Sequence, residues 1–421
     1  MKIERHPLRT NVSVRVPGSK SFTHRLLIAA ALADGVSIID NPLRSEDTHH
    51  TAEALRKLGV AIEESKNSSV VHGRGGRLSA CNEPIDLGNS GTSMRLLLSI
   101  GALGEGTYRF TGTPRMQERP VDALLDGLTR LGVPAVSIYG TGCPPVDVTG
   151  GSLKGGEVSL DCGMSSQYLS SLLLAGPVTE NGLVIHVSRG PVSKPYIDMT
   201  LDIMAQMGIQ AIASDYISFT VPGRQSYRPG RYAVEPDVSQ AGYFWAAAAI
   251  TGARVKVEGV SRGTRQGDIG LLEVFREMGC EIDCEPGGGI SVQGGNLHGI
   301  DVDMGDLPDM VPTLAVAAAF ADGVTRVRNV AHLRAKESDR LSAVAAELGR
   351  MGIRVREHAD GIEIEGGRPK GAVIETHDDH RIAMSFALAG LAVDGVIIRN
   401  PAVVNKSFPA FWEVFGGLFE K

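Results

Sequence analysis

The chain has 421 residues, a formal net charge of −6 at pH 7, 43% hydrophobic and 5% aromatic residues. That length holds two or three domains with ample cores, and the mixing of basic with acidic residues leaves no stripe of the kind that grips nucleic acid. Cys81, Cys143, Cys162, Cys280 and Cys284 are odd in number and contain no C-x-x-C, which speaks against a zinc ribbon or a disulfide framework. No apolar run reaches the roughly 18 residues of a membrane span, and "MKIERHPLRT" has no apolar signal core, so a cytoplasmic protein is expected.

The first charged lead into a helix is "VPGSKSFTHR", Val16 to Arg25. A P-loop needs G-x-x-x-x-G-K-[ST]. Here Val14 and Ser19 stand where the glycines belong, so that reading fails. What remains is a helix start with Lys20 and Arg25 beside it, suited to an anion or to an ordinary capped surface helix.

Onward from there the chain repeats. An Ala/Leu-rich helix, a glycine and a β-branched strand recur six times, punctuated by Gly35, Gly106, Gly182, Gly252, Gly323 and Gly395, at successive differences of 71, 76, 70, 71 and 72. After each of the first five strands a second helix ends at Gly59, Gly132, Gly208, Gly279 or Gly352, as a helix C-cap would. The first helices are apolar almost all round and are expected to be buried. The sixth unit ends with its second helix, "FPAFWEVFGGLFEK". The N-terminal segment "KIERHPLRTNVSVRV" is therefore expected to complete it. One domain then comprises 1–18 and 235–421 and the other 19–234, with crossings near 17–20 and in the Pro/Gly/Arg-rich stretch 223–237. The fold class is α/β.

The segments leading into the six buried helices carry Lys20, Arg25, Asn89, Arg95, Gln167, Asp309, Asp379, His380 and Arg381. N-capping accounts for the short polar residues. It does not account for the cations, which oppose the positive end of a helix dipole and so imply an anionic ligand. Charged loops follow the first strands too, among them "PRMQERP" and "LRAKESDR". A metal at His377 and His380 lacks a partner set. Cys162, at a helix start, reads as a buried inert thiol rather than a nucleophile.

"PGSKSFTHR", "GNSGTSMR", "PRMQERP", "SSQYLSSLL", "SKPYIDMT", "KESDR", "DDHRIAM" and "KSFP" occur in order across the chain and resemble the signature segments of the 5-enolpyruvylshikimate-3-phosphate synthases. The resemblance implies two domains of three βαβαββ units each, the enolpyruvyl transferase fold, closing on their substrates. It implies transfer of the enolpyruvyl group of phosphoenolpyruvate to the 5-hydroxyl of shikimate 3-phosphate, with loss of phosphate. A monomer is expected, acting on small molecules without cofactor, metal, nucleic acid or membrane. By resemblance, shikimate 3-phosphate would meet Lys20, Ser21, Arg25, Ser165, Ser166, Gln167, Ser193, Tyr196, Asp309, His332 and Lys336. Phosphoenolpyruvate would meet Lys20, Asn89, Gly91, Arg119, Gln167, Arg340, Arg381 and Lys406. Lys20, Asp309, Glu337 and His380 would be catalytic, Glu337 moving the proton at C3. Two positions depart from well-known members: His332 replaces an asparagine, and Leu96 follows Arg95 where many have proline. The related UDP-N-acetylglucosamine enolpyruvyl transferases usually carry a cysteine in the loop matching "PRMQERP", which has none here. A non-catalytic anion-binding protein on the same repeats would be expected to lack some of the acid and base groups.

Overall fold

The computed structural model describes residues 1–5, 11–285 and 288–419. They fall into two compact units, Gly18–Val234 and the combination of Met1–Pro17 with Glu235–Lys421. The chain passes between them twice, each time straight from a strand into a helix.

In Gly18–Val234 the helices are α1 Lys20–Leu32, α2 Glu46–Lys57, α3 Gly91–Gly101, α4 Asp122–Arg130, α5 Gln167–Ala175 and α6 Pro195–Gln206. α1, α3 and α5 pack on one another at the centre. Eleven consecutive residues of α1, Phe22 to Leu32, are buried, as its lack of a polar face demands. Three four-stranded sheets surround these helices, and each has the same plan. In the second sheet, Ile85–Asp86 runs parallel to Thr107–Thr111, which pairs antiparallel with Val146–Thr149, and that strand pairs antiparallel with Ala135–Ser137. A leading strand, a buried helix, a parallel strand, a second helix and a hairpin make one βαβαββ unit.

The other unit repeats the plan with α7 Val238–Thr251, α8 Leu271–Glu277, α9 Val311–Ala318, α10 Arg340–Arg350, α11 His380–Ala389 and α12 Phe411–Gly416. Here α7, α9 and α11 form the centre. The sixth sheet is reduced to Val373–Ile374 parallel to Ile397–Ile398. Lys2 bridges Ile397 in antiparallel sense, and Ile3 N donates to Val396 O at 2.9 Å.

The expectation for the N-terminus therefore holds only for its first residues. Residues 6–10 of that segment lie outside the described residues. Asn11–Val14 joins the fourth unit, not the sixth, running parallel to Arg254–Val257. Its counterpart Arg231–Ala233, just before α7, pairs with Asp34–Asp40 of the first unit. The two leading strands are exchanged: each lies beside the strand after the other's helix. Each strand thus stays in the sheet of its own compact unit, while the helix that follows it in sequence belongs to the other.

All the punctuating glycines have positive φ, from 71° at Gly182 to 142° at Gly35. Gly252 is the left-handed C-cap of α7, at φ 72°; a Cβ there would meet nothing within 4 Å. Gly294 fails for another reason, because its Cβ would lie 2.1 Å from Ala248 O. Gly252→Ala is thus expected to lose about 1–2 kcal/mol through backbone strain alone, and Gly294→Ala to lose more because backbone must move. Urea denaturation of the two variants measures the order.

Candidate active site

In Gly18–Val234, α1 and α3 set Arg25 and Arg95 among neutral donors and acceptors, and Lys20 at the start of α1 faces a carboxylate. Arg25, one turn into α1, is fully buried. Its guanidinium donates to Thr200 Oγ1 at 2.8 Å, Ser21 O at 3.1 Å, Tyr196 O at 3.2 Å and Ser170 Oγ at 3.4 Å, and lies 6.0 Å from the centre of the Tyr196 ring. These oxygens are all neutral, and burial pushes its pKa down to about 10. A buried charge answered only by dipoles is costly, and a bound anion would relieve it. Arg95 donates to Gln167 Oε1 at 3.0 Å and faces the Tyr168 ring at 5.7 Å. Gln167 in turn donates to Thr92 Oγ1 at 2.9 Å, and Ser165 Oγ accepts from Gln167 N at 3.2 Å. Ser165, Ser166 and Ser193 are buried nearby in sequence; Ser193 takes φ 54° and its carbonyl accepts from Tyr196 N at 3.1 Å.

Arg119 donates to Asn89 O and Asn89 Oδ1 at 3.0 and 3.2 Å. It lies against Gly91, where a Cβ would come within 2.3 Å of Arg119 Nη2. Only a glycine leaves the guanidinium there. Lys20 opens α1, a helix without a side-chain cap, and its Nζ is 3.0 Å from the buried Asp47 carboxylate at the start of α2.

The other unit gathers acids and bases together. Asp309, in the turn before α9, accepts from Arg340 Nη1 at 2.9 Å and Arg381 Nη2 at 2.7 Å, with Lys336 Nζ at 3.8 Å. Glu337 accepts from Arg340 Nη2 at 2.7 Å, with Lys406 Nζ at 3.9 Å. Asp379 caps α11 by accepting from Arg381 N at 2.9 Å, and also takes Arg340 Nε at 2.7 Å and Ser338 Oγ at 3.0 Å. Burial pulls the Arg340 guanidinium down, but Asp379, Glu337 and Asp309 outweigh it and hold the pKa above its ordinary value. Asp379 is the mirror case: burial raises it, Arg340 wins, and the carboxyl is held low. His380 is buried beside it, Nδ1 3.6 Å from Asp379 Oδ1. Burial, then Lys336, pushes the His332 imidazole down to about 4.

Contacts join Arg25 to Ser21 and Tyr196, Arg95 to Gln167, Arg119 to Asn89, and Lys20 to Asp47; in the other unit they join Asp309 to Lys336, Arg340 and Arg381, and Glu337 to Arg340 and Lys406. Cys162 is inert, its thiol pushed up to about 12 by burial. Among the described residues no three His, Cys, Asp or Glu side chains form a metal-binding group, and no helix is long and apolar enough to cross a membrane. Asp379 is the N-cap that its place before α11 suggests, but its grip on Arg340 has no signal in the sequence; Asp47 in "RSEDTHH" and Asp268 in "SRGTRQGD" look like ordinary loop charges. Nothing in the sequence separates Asp47 from Glu46, which is exposed.

The EPSP synthase (3-phosphoshikimate 1-carboxyvinyltransferase) family model matches residues 5–415. The chain belongs to the EPSP synthase family. Its relatives include 3-phosphoshikimate 1-carboxyvinyltransferases of Syntrophobacter fumaroxidans, 47% identical over 95% of each chain, and of Methanosphaerula palustris, 45% identical over 97% of each. The solved EPSP synthase of Acinetobacter baumannii superposes with a TM-score of 0.83 at 32% identity, covering 99% of this chain and 98% of that one. The fold is therefore the two-domain enolpyruvyl transferase fold. Against the EPSP synthase pattern, Leu96 leaves α3 regular: the residue is fully buried and its carbonyl accepts from Ser171 Oγ at 3.0 Å.

Asp268 supplies a pH test of this surrounding. Burial, reinforced by the Asp309 charge, pushes its carboxyl from 3.8 up to about 7. Between those values the folded protein keeps a proton that the unfolded chain has released. The contribution of Asp268 to stability falls as pH rises through that window and levels off above it. Asp268→Asn removes the titration, so its stability relative to the parent should climb from pH 4 to pH 7 by up to about 1.4 kcal/mol per unit and then stay constant. Urea denaturation across pH measures this; parallel curves would place Asp268 at an ordinary carboxylate pKa.

Proposed function

We infer that the chain is a 3-phosphoshikimate 1-carboxyvinyltransferase, moving the enolpyruvyl group of phosphoenolpyruvate to the 5-hydroxyl of shikimate 3-phosphate in the shikimate pathway. The observation that carries this is a family match over nearly the whole length in which each charged group of the resemblance is present and buried or half-buried in its cluster.

The residue roles are proposals. Arg25, with Ser21, Ser165, Ser166, Gln167, Ser193 and Tyr196, holds shikimate 3-phosphate; its buried, unneutralised guanidinium suits a phosphate. For phosphoenolpyruvate the candidates are Arg119 beside Gly91 and Asn89, with Lys20, in one unit, and Arg340, Arg381 and Lys406 in the other. Two anions must be held together, and these cations offset their repulsion. Asp309, oriented by Arg340 and Arg381 and flanked by Lys336 and His332, accepts the proton of the attacking hydroxyl. As oxygen bonds to C2, Glu337 gives a proton to C3. The tetrahedral adduct then loses phosphate, which departs with the proton Asp309 had accepted, as Glu337 takes a proton back from C3, restoring the double bond. His380 stands beside this group through Asp379. We further propose that the protein works as a monomer in the cytoplasm, where five free cysteines would stay reduced.

Phosphate release should occur with shikimate 3-phosphate plus phosphoenolpyruvate and not with UDP-N-acetylglucosamine. In the same assay Glu337→Gln should lower kcat by about 10²–10⁴-fold with little change in either KM. An unchanged kcat would remove Glu337 from the proton steps.

Gly91→Ala tests the other cluster. The added Cβ must displace Arg119, so KM for phosphoenolpyruvate should rise by at least about tenfold, the worth of a charge-assisted hydrogen bond. KM for shikimate 3-phosphate should stay within about twofold, because Arg25 and its partners are untouched.

A further inference from the structure

The segment just before α11 is held in a conformation that the residues would not choose. His377 and Asp378 have φ 52° and 53°, a left-handed pair of non-glycine residues that persists only where the surroundings over-determine it. Asp379, His380 and Arg381 follow at once.

The surroundings do over-determine it. Glu347 lies seven residues after Arg340 on α10, two turns along and on the same face, and is fully buried. One of its oxygens accepts from His377 Nε2 at 2.8 Å and the other from Glu375 N at 3.0 Å, with Arg350 Nη1 at 3.5 Å. From the opposite flank, Asn400 Nδ2 donates to Asp378 Oδ1 at 2.9 Å. Within the turn, Asp379 N donates to Thr376 O at 2.8 Å. α10 therefore grips this segment twice, through Arg340 on Asp379 and through Glu347 on His377.

We propose that the buried Glu347 carboxylate and the half-exposed His377 imidazole form a clamp that positions the start of α11, and through it the Arg381 guanidinium on Asp309. Neither residue touches a reacting atom; both are positioning residues. The clamp gives His377, first weighed as a metal ligand, a different use. Its kinetic consequence rests on the transferase reading above, while its structural consequence does not.

Two readouts test it. Amide hydrogen exchange of residues 376–382 in the full chain should be at least tenfold faster in His377→Ala and in Glu347→Gln than in the parent, whatever the reaction catalysed. Unchanged exchange overturns the clamp. In the transferase assay His377→Ala should lower kcat about 10–100-fold. His377→Gln, whose amide can donate from a similar position, should recover most of that loss. In an Arg381→Lys background, His377→Ala should add less than about threefold, because the two changes damage one arrangement. A full additional loss there, or a kcat unchanged in His377→Ala despite lower thermal stability, would reduce the pair to structural support and overturn the proposal. Failure of the parent to turn over removes the transferase reading; exchange alone then decides the clamp. Should Glu347→Gln fail to fold, the half-exposed His377 variants carry both readouts.

Discussion

Arg340 is the constraint on which one whole unit turns. A guanidinium with one per cent side-chain exposure can exist there only because Asp379, Glu337 and Asp309 surround it. Arg340 in turn holds the Asp379 carboxyl low. Removing any one partner from such a set strands the others, which is why buried pairs cost about 3–5 kcal/mol to break although they contribute little net stability. The network is poorly explained as a source of stability. It is well explained as a way to hold an acid and a base at fixed orientation, each with its spare oxygen facing another cation.

The Gly18–Val234 unit solves the complementary problem. Arg25 and Arg95 are met by hydroxyls, carbonyls, an amide and aromatic rings. Arg25 and Arg95 keep their charge available because their partners are dipoles. One unit thus carries Arg25 and Arg95 among dipoles, and the other carries carboxylates bound directly to cations. An enzyme joining two phosphorylated acids needs both kinds of environment, and three-fold repetition of one βαβαββ plan supplies six helix starts on which to build them.

Much of this was legible in the sequence because its signals are local. Glycines that must adopt positive φ recur at nearly constant intervals, and all-apolar helices have nowhere to go but inside. The cations at helix starts were legible because they violate a local electrostatic rule. The exchange of leading strands was not, since pairing Asn11–Val14 with Arg254–Val257 is a non-local choice that no window of sequence encodes. Nor was Asp268 legible: an aspartate in a Gly- and Arg-rich loop looks solvated, and only its burial against α7 pushes its carboxyl up. Glu347 was hidden for the opposite reason, sitting in an amphipathic helix where a glutamate draws no attention.

The strand exchange also bears on the order in which the molecule can be made. Residues 18–234 hold all the strands of their own three sheets, and Asn41 ties the ends of the segment: its carbonyl lies against Gly18 and its amide donates to Val234 O. During synthesis this stretch can complete itself as soon as residue 234 emerges. The strand at Asn11–Val14 must wait, for its partner begins at Arg254. The insert's strand pairings can therefore all be made while the leading strand of the other half is still unmatched, an order that follows from the connectivity alone.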